Sequence, residues 1–252
     1  MEAMAEFARH PDLDRLEAMI KADLDANTAV GLDIFVASSR SHLSVVEFFR
    51  GNWDRALESA RESCQVQAPE VAITTNLATL FHHEAYAGNR EAALVLFDRH
   101  SDKLPRPKHQ NPYHSWVMLI YTVEGLAMLG EREQAAALYP LVCELILTGA
   151  ISLVFISRFP QTGAGIAAAA ARNWAAAEDH FRIAMEQAES LPNQIEQIEI
   201  RRFRAMMLLD RAARGDRETA GELLREALES YACIGMRRHV ELTQALIHQA
   251  AS

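Results

Sequence analysis

The sequence is poor in the residues that interrupt helices or crosslink a chain. Among 252 residues there are only 11 glycines, 8 prolines and 3 cysteines. Because glycine and proline disfavour helix interiors, their scarcity favours a largely helical protein and excludes collagen-like or low-complexity sequence. The cysteines are odd in number and lack C-x-x-C spacing, which excludes a disulfide framework and a metal or redox site of that type. We therefore expect a reducing, cytoplasmic location.

Positive charge is scarce as well. The chain has 25 basic and 34 acidic residues, which gives a net charge of −9. Proteins that bind nucleic acids usually carry a basic surplus, so we expect no direct nucleic-acid partner. The N-terminus is acidic and lacks the features of a signal peptide. The apolar run Ala135–Ile156 has the length of a membrane span, but Pro140, Glu144 and Gly149 interrupt it. We expect a buried helix pair there and no membrane partner.

Alanine is the most abundant residue, with 42 copies, and some of these alanines recur at a regular spacing. Five segments begin with a short turn element at residues 51, 88, 130, 172 and 215, and each has alanine five positions later. A mostly large residue follows after four more positions, and a mostly small residue after a further three. These steps keep the side chains on one helical face, where a second helix can pack closely. The alanines are Ala56, Ala93, Ala135, Ala177 and Ala220.

An apolar stretch precedes each turn and predicts a first helix, so that each repeat forms a helical hairpin. Pro160 predicts a kink or break in the first helix of the fourth repeat. Arg172 stands where the other turns have glycine and predicts a less regular turn. The predicted first helices are Leu32–Arg50, Glu70–Ala87, Tyr113–Leu129, Ala150–Ala171 and Gln194–Arg214.

These features together predict an all-α fold, a right-handed α-solenoid of about five helical hairpins. The whole chain, residues 1–252, is expected to form a single domain. Residues 1–30 supply an N-terminal helix over Asp12–Asn27, residues 31–235 the five hairpins, and residues 236–252 a C-terminal capping helix. End helices of this kind cover the open core of terminal repeats. The proline-bearing segment Ser101–His114 is expected to be a loop.

The repeat register resembles that of the tetratricopeptide repeat (TPR). The resemblance is carried by the turn glycine, the alanine after it, the large residue and the final alanine, as in Gly215, Ala220, Leu224 and Ala227. Most repeat starts here are 42 or 43 residues apart, longer than the usual period of about 34, which implies longer helices. The stretch Gly215–Leu246 is similar to the C-terminal tail of bacterial ATPase-containing adenylate-cyclase and LuxR-type signalling proteins. That resemblance implies a regulatory role, without nucleotide chemistry because no phosphate loop of the G-x-x-x-x-G-K-[ST] type is present.

The sequence contains no convincing catalytic or metal-binding arrangement. His82 and His83 are adjacent and therefore point about 100° apart on a helix, which favours a groove-lining or partly buried role over metal ligation. The segment Glu196–Glu218 mixes arginines with acidic residues and predicts a solvated, salt-bridged face, with a patch for an acidic partner as the alternative. We expect no enzyme, no cofactor and no metal.

The predicted function is a non-catalytic scaffold or regulatory module that binds a protein or peptide in a concave groove. Many weak contacts on a preformed surface can provide such binding without a reaction centre. Positions six and thirteen residues before the turns are predicted to face the groove. A small-molecule inducer bound in the same groove is the alternative. The predicted groove residues are Ser38, Thr75, His82, Glu124 and Arg202.

Overall fold

The computed structural model describes residues 2–65, 69–153 and 157–251. Within these ranges the regular structure is helical, apart from an isolated β-bridge between Leu153 and Arg158, and the predicted all-α class is confirmed. The helices are α1 (Glu2–Arg9), α2 (Leu13–Ala29), α3 (Asp33–Arg50), α4 (Trp53–Gln65), α5 (Glu70–Tyr86), α6 (Arg90–His100), α7 (Tyr113–Met128), α8 (Arg132–Ala137), α9 (Tyr139–Leu147), α10 (Pro160–Ala170), α11 (Trp174–Ser190), α12 (Gln194–Arg211), α13 (Asp216–Ile234) and α14 (Arg237–Ala251).

The predicted turns all contain a residue with left-handed backbone geometry. In the fourth turn the amide of Asn173 donates to the carbonyl of Ala168 at 2.9 Å, and the three preceding turns contain the equivalent bond. The prediction of a less regular turn at Arg172 is therefore wrong, because these hydrogen bonds hold a non-glycine residue in the same conformation. The φ angles are 82° at Gly51, 77° at Gly88, 75° at Gly130, 57° at Arg172 and 87° at Gly215.

Prolines account for the main departures from the predicted helix boundaries. The predicted helix Ala150–Ala171 begins only at Pro160, where a proline at the first helical position loses no hydrogen bond. The predicted break at this proline is thus confirmed, and residues 154–156 lie outside the described ranges. The predicted N-terminal helix over Asp12–Asn27 corresponds to α2, and a further helix, α1, lies before Pro11. Pro140 lies in the first turn of α9, which is distinct from α8.

The predicted loop Ser101–His114 consists of a 3-10 turn over Ser101–Lys103 and an irregular stretch, and α7 begins at Tyr113. Most of the apolar run Ala135–Ile156 forms the end of α8 and all of α9. No helix in the described part of the chain combines the length and apolar character needed to cross a membrane.

The alanine column lies where the helices touch. Each of the five alanines has no exposed surface, and the large residues Phe181 and Leu224 in the following column are 1% and 0% exposed. A methyl group at this position lets the backbone of a neighbouring helix approach, and the large side chain fills the adjoining space. The column therefore defines the hairpin interface. Its members are Ala56, Ala93, Ala135, Ala177 and Ala220.

The first helices of the hairpins form an inner layer that closes on itself. Helices α3, α5, α7, α10, α12 and α14 each contact the next, and α14 returns to contact α3. The guanidinium of Arg237 on α14 donates to the carbonyl of Arg50 at 3.1 Å, and that of Arg238 lies 5.4 Å from the Trp53 ring centroid. On another side α1 packs against α12. The inner faces of the first helices consequently surround a common centre.

Gly51 provides a test of this closure. A Cβ atom at Gly51 would lie 3.1 Å from the backbone nitrogen of Arg238, whereas one at Gly88 would meet nothing within 4 Å. Both glycines have positive φ, so Gly88→Ala should cost about 1 kcal/mol of unfolding free energy from backbone strain alone. We expect Gly51→Ala to cost at least about 1 kcal/mol more, because α14 must move. Urea unfolding measures both values, and equal losses would mean that α14 does not pack here.

Candidate functional site

The five predicted groove residues separate into two places. His82, Glu124 and Arg202 are 3%, 2% and 0% exposed and lie at the closed centre of the inner layer. Ser38 and Thr75 line a cleft at the surface. The expectation that the first three face an open groove is therefore corrected, because closure of the inner layer brings their side chains into contact with the chain itself.

The closed centre holds five buried charged residues, which we call the central cluster: Glu124, Arg158, Glu196, Glu199 and Arg202. They come from α7, from the segment before α10, and from α12. An unpaired buried charge is very costly, so each of these groups needs partners inside the protein. The following contacts supply them.

Glu124 accepts hydrogen bonds from three directions through one carboxylate oxygen. Tyr86 donates its hydroxyl to Oε1 at 2.5 Å, and Nη2 of Arg158 donates to the same atom at 3.1 Å. Nε2 of His82 lies 3.0 Å from it. Because His82 and Tyr86 belong to α5, this carboxylate ties α5, α7 and the segment before α10 together.

Arg202 joins helices on opposite sides of the inner layer. Its Nη2 donates to Glu199 Oε2 at 2.5 Å and to the hydroxyl of Tyr86, while its Nε donates to the Tyr231 hydroxyl at 3.2 Å. The Tyr231 hydroxyl donates in turn to Glu199 Oε1 at 2.6 Å. The guanidinium also lies 4.2 Å from the Phe203 ring centroid. One side chain of α12 thus contacts α5 and α13 simultaneously.

Glu196 receives donors mainly on one oxygen. Thr162 donates its hydroxyl to Oε1 at 2.5 Å, and the amide of Phe159 donates to the same atom at 3.0 Å. Oε2 lies 3.4 Å from Nη1 of Arg158. The carboxyl group therefore fixes the start of α10 against the first turn of α12.

The central cluster has three carboxyl groups and two guanidinium groups. Burial raises the pKa of Glu196 to about 7, although the charge of Arg158 opposes that shift. Burial also acts to raise the pKa of Glu199, but Arg202 and Arg158 outweigh it and lower the pKa to about 2. The pKa of Glu124 is likewise low despite burial, because Arg158 and His82 favour its ionised form. A protonated Glu196 leaves two carboxylates facing two guanidinium groups.

A chain of polar side chains leads from the central cluster to Ser44. This serine is not accessible as a nucleophile. Nδ1 of His82 lies 3.5 Å from Nδ1 of His83, whose Nε2 lies 3.4 Å from the Ser44 hydroxyl. Ser44 has no exposed surface and donates its hydroxyl to the carbonyl of Ser41 at 2.7 Å. A cavity beside the histidines has a volume of about 10 Å³, room for one water molecule. These contacts support a structural role for His82, His83 and Ser44.

A second candidate site, which we call the α2–α3 cleft, opens on the surface. It has a volume of about 280 Å³, and α2, α3, α5 and the start of α7 line it. Phe35 and Tyr113 remain 52% and 46% exposed there. The hydroxyls of Ser38 and Thr75 bond to carbonyls one turn back in their own helices, at 3.0 and 2.9 Å. The cleft therefore offers mainly apolar surface.

Sequence reasoning missed most of the central cluster. It assigned Glu196, Glu199 and Arg202 to a solvated face, yet all three have 0% exposure. The neighbouring Arg201 and Arg204 do form outer ion pairs, with Glu226 and Glu178. A helical spacing of three between Glu196, Glu199 and Arg202 is the signal in the sequence, but spacing alone does not say whether that face is buried. No helical periodicity in the sequence marks Arg158, because this residue lies outside a regular helix.

No group of three or more His, Cys, Asp or Glu side chains suited to a metal ion occurs within the described ranges. Comparisons with family models, with curated proteins and with solved structures return no match to this chain.

We predict that Arg202→Met strongly destabilises the protein. Removing the guanidinium deprives buried Glu199 of its nearest positive charge and the Tyr86 and Tyr231 hydroxyls of a donor, and breaking such a buried ion pair typically costs about 3–5 kcal/mol. Arg201→Met is the matched control, because its partner Glu226 is 61% exposed and such a surface pair contributes at most about 1 kcal/mol. Equilibrium denaturation of both variants measures the difference, and similar losses would refute the assigned role of Arg202.

Glu196 should leave a signature in the pH dependence of stability. Its pKa rises from an ordinary 4.5 to about 7 in the folded protein, so between these values the unfolded chain has lost a proton that the folded protein retains. This group therefore lowers stability as pH rises through that window. Glu196→Gln stays uncharged and removes this contribution. The unfolding free energy of wild type minus that of the variant should fall between about pH 4.5 and 7 and level off above. A difference that stays flat across this window would show that Glu196 is ionised in the fold.

Proposed function

We propose that this protein is a non-catalytic interaction module that binds a segment of another protein in the α2–α3 cleft. The observation that carries the proposal is the exposure of Phe35 and Tyr113 beside a mainly apolar cleft of about 280 Å³. Ser38 and Thr75, predicted from the repeat register to contact a partner, line the same cleft. Exposed aromatic side chains around a concavity are typical of binding surfaces.

The helices that line the cleft are held in place by their other ends. Phe48 near the end of α3 stacks on His83 of α5, with ring centroids 4.5 Å apart. Between these rings and the cleft, the Ser41 hydroxyl donates to Thr79 Oγ1 at 3.3 Å and links the same two helices. Because the two helices are fixed relative to each other, a partner would lose little free energy in ordering the cleft.

We also propose that the helical hairpins form a TPR-like, right-handed α-solenoid. The left-handed residue in each turn and the buried alanine column support this TPR-like assignment. Such a repeat suits a regulatory or scaffolding role in a bacterial signalling or transcription-regulatory system, and we propose the cytoplasm as its location. Cys64, Cys143 and Cys233 are unpaired thiols, which suits a reducing compartment.

A small-molecule effector is the second candidate for the same cleft. The volume of about 280 Å³ lies near the lower limit of small-ligand pockets, about 300 Å³. A thermal-shift screen of sugars, nucleotides and other metabolites tests this alternative, since a specific ligand raises the melting temperature by mass action. A small molecule whose stabilising effect is lost on changing Phe35 would replace the protein segment as the ligand.

Selection of random peptides displayed on phage tests the main proposal. We expect enriched peptides whose affinity falls about tenfold for Phe35→Ala, because an exposed aromatic anchor is removed. Leu147→Ala is the matched control: Leu147 on α9 is 85% exposed but lies outside the cleft, and its loss should change affinity less than about twofold. Fluorescence anisotropy measures these affinities. Peptides that bind Phe35→Ala as tightly as wild type would contradict the proposal.

A further inference from the structure

The walls of the α2–α3 cleft carry one acidic and two exposed aromatic side chains. Asp23 lies on α2, Phe35 on α3 and Tyr113 at the start of α7, and all three line the cleft. Within the described ranges, no lysine or arginine lines it. The arrangement combines a carboxylate with aromatic surface around an apolar floor.

This combination favours a positively charged group with an apolar stem. A carboxylate attracts a cation directly, and the face of an aromatic ring attracts it through the ring quadrupole. The aliphatic part of a lysine or arginine side chain can pack on apolar surface while its charged head stays at the rim. A carboxylate or phosphate in the same place would meet repulsion from Asp23.

The charges around the cleft also favour a positively charged ligand. The two cations of α2 already have acidic partners among the described residues, since Lys21 pairs with Glu17 at 2.5 Å and Arg15 with Glu6 at 2.9 Å. Asp23 forms no ion pair with any described residue. The net charge of −9 adds a general attraction for basic partners.

We infer that the α2–α3 cleft recognises a basic side chain, lysine or arginine, next to an apolar anchor on the partner protein segment, through Asp23, Phe35 and Tyr113. This inference rests on the proposed function, because it names the chemistry of the segment that the cleft binds. The apolar anchor contacts apolar lining residues such as Ile34 and Val71, and the cation contacts the carboxylate and the rings.

The experiment uses the full chain and the tightest cleft-dependent peptide from the phage selection. Asp23→Asn removes the carboxylate, while Asp25→Asn makes the same charge change about 200° around α2, outside the cleft. We expect Asp23→Asn to weaken binding about fivefold or more, and Asp25→Asn less than about twofold. Synthetic peptides with each lysine or arginine replaced by norleucine should lose affinity similarly for wild type and be insensitive to Asp23→Asn.

The possible outcomes separate the two proposals. Cleft-dependent peptides without basic residues, or equal effects of Asp23→Asn and Asp25→Asn, would overturn this inference and leave the proposed function standing. Selection that yields no peptide sensitive to Phe35→Ala would overturn the proposed function and the inference with it. Tetramethylammonium chloride is added as a free cation. If it binds as tightly as the peptide, the ligand is a small ammonium compound and the protein segment is refuted.

Discussion

The buried ion pair between Arg202 and Glu199 is the interaction on which the arrangement of the hairpins depends. Apolar packing is non-directional, so it constrains the rotation and register of alanine-rich helices less tightly than a directional contact does. A fully buried guanidinium tolerates no such freedom, because losing one partner leaves an uncompensated charge. Arg202 reaches Tyr86 on α5 and Tyr231 on α13, and its bonds therefore fix three helices relative to each other.

Around that pair, the central cluster has three carboxyl groups for two guanidinium groups. Glu196 has its pKa raised to about 7 by burial, while Glu124 and Glu199 stay ionised beside the two arginines. The hydrogen bonds of Glu196 position the start of α10, the helix that Pro160 shortens at its N-terminal end. The polar centre thereby anchors the start of this shortened helix.

The rigid centre and the open cleft belong to the same helices. Helices α3 and α5 contact each other through Phe48 and His83 near the central cluster, and they present Phe35 and Val71 at the cleft. Stability and binding surface are therefore separated along each helix. This division explains why the repeat register identified two cleft residues, Ser38 and Thr75, together with three that lie at the centre.

The sequence by itself determined the helices, the hairpin turns and the alanine contact positions, because left-handed turn residues, prolines and helical periodicity act over a few residues. It also located the helical face that carries His82, Glu124 and Arg202. Only the tertiary structure decided that this face is buried, since burial depends on α14 returning to α3 across the length of the chain, as in the bond from Arg237 to Arg50. Arg158 and the cleft residues Asp23 and Tyr113 join their sites in the same way, through contacts between distant segments that no local pattern records.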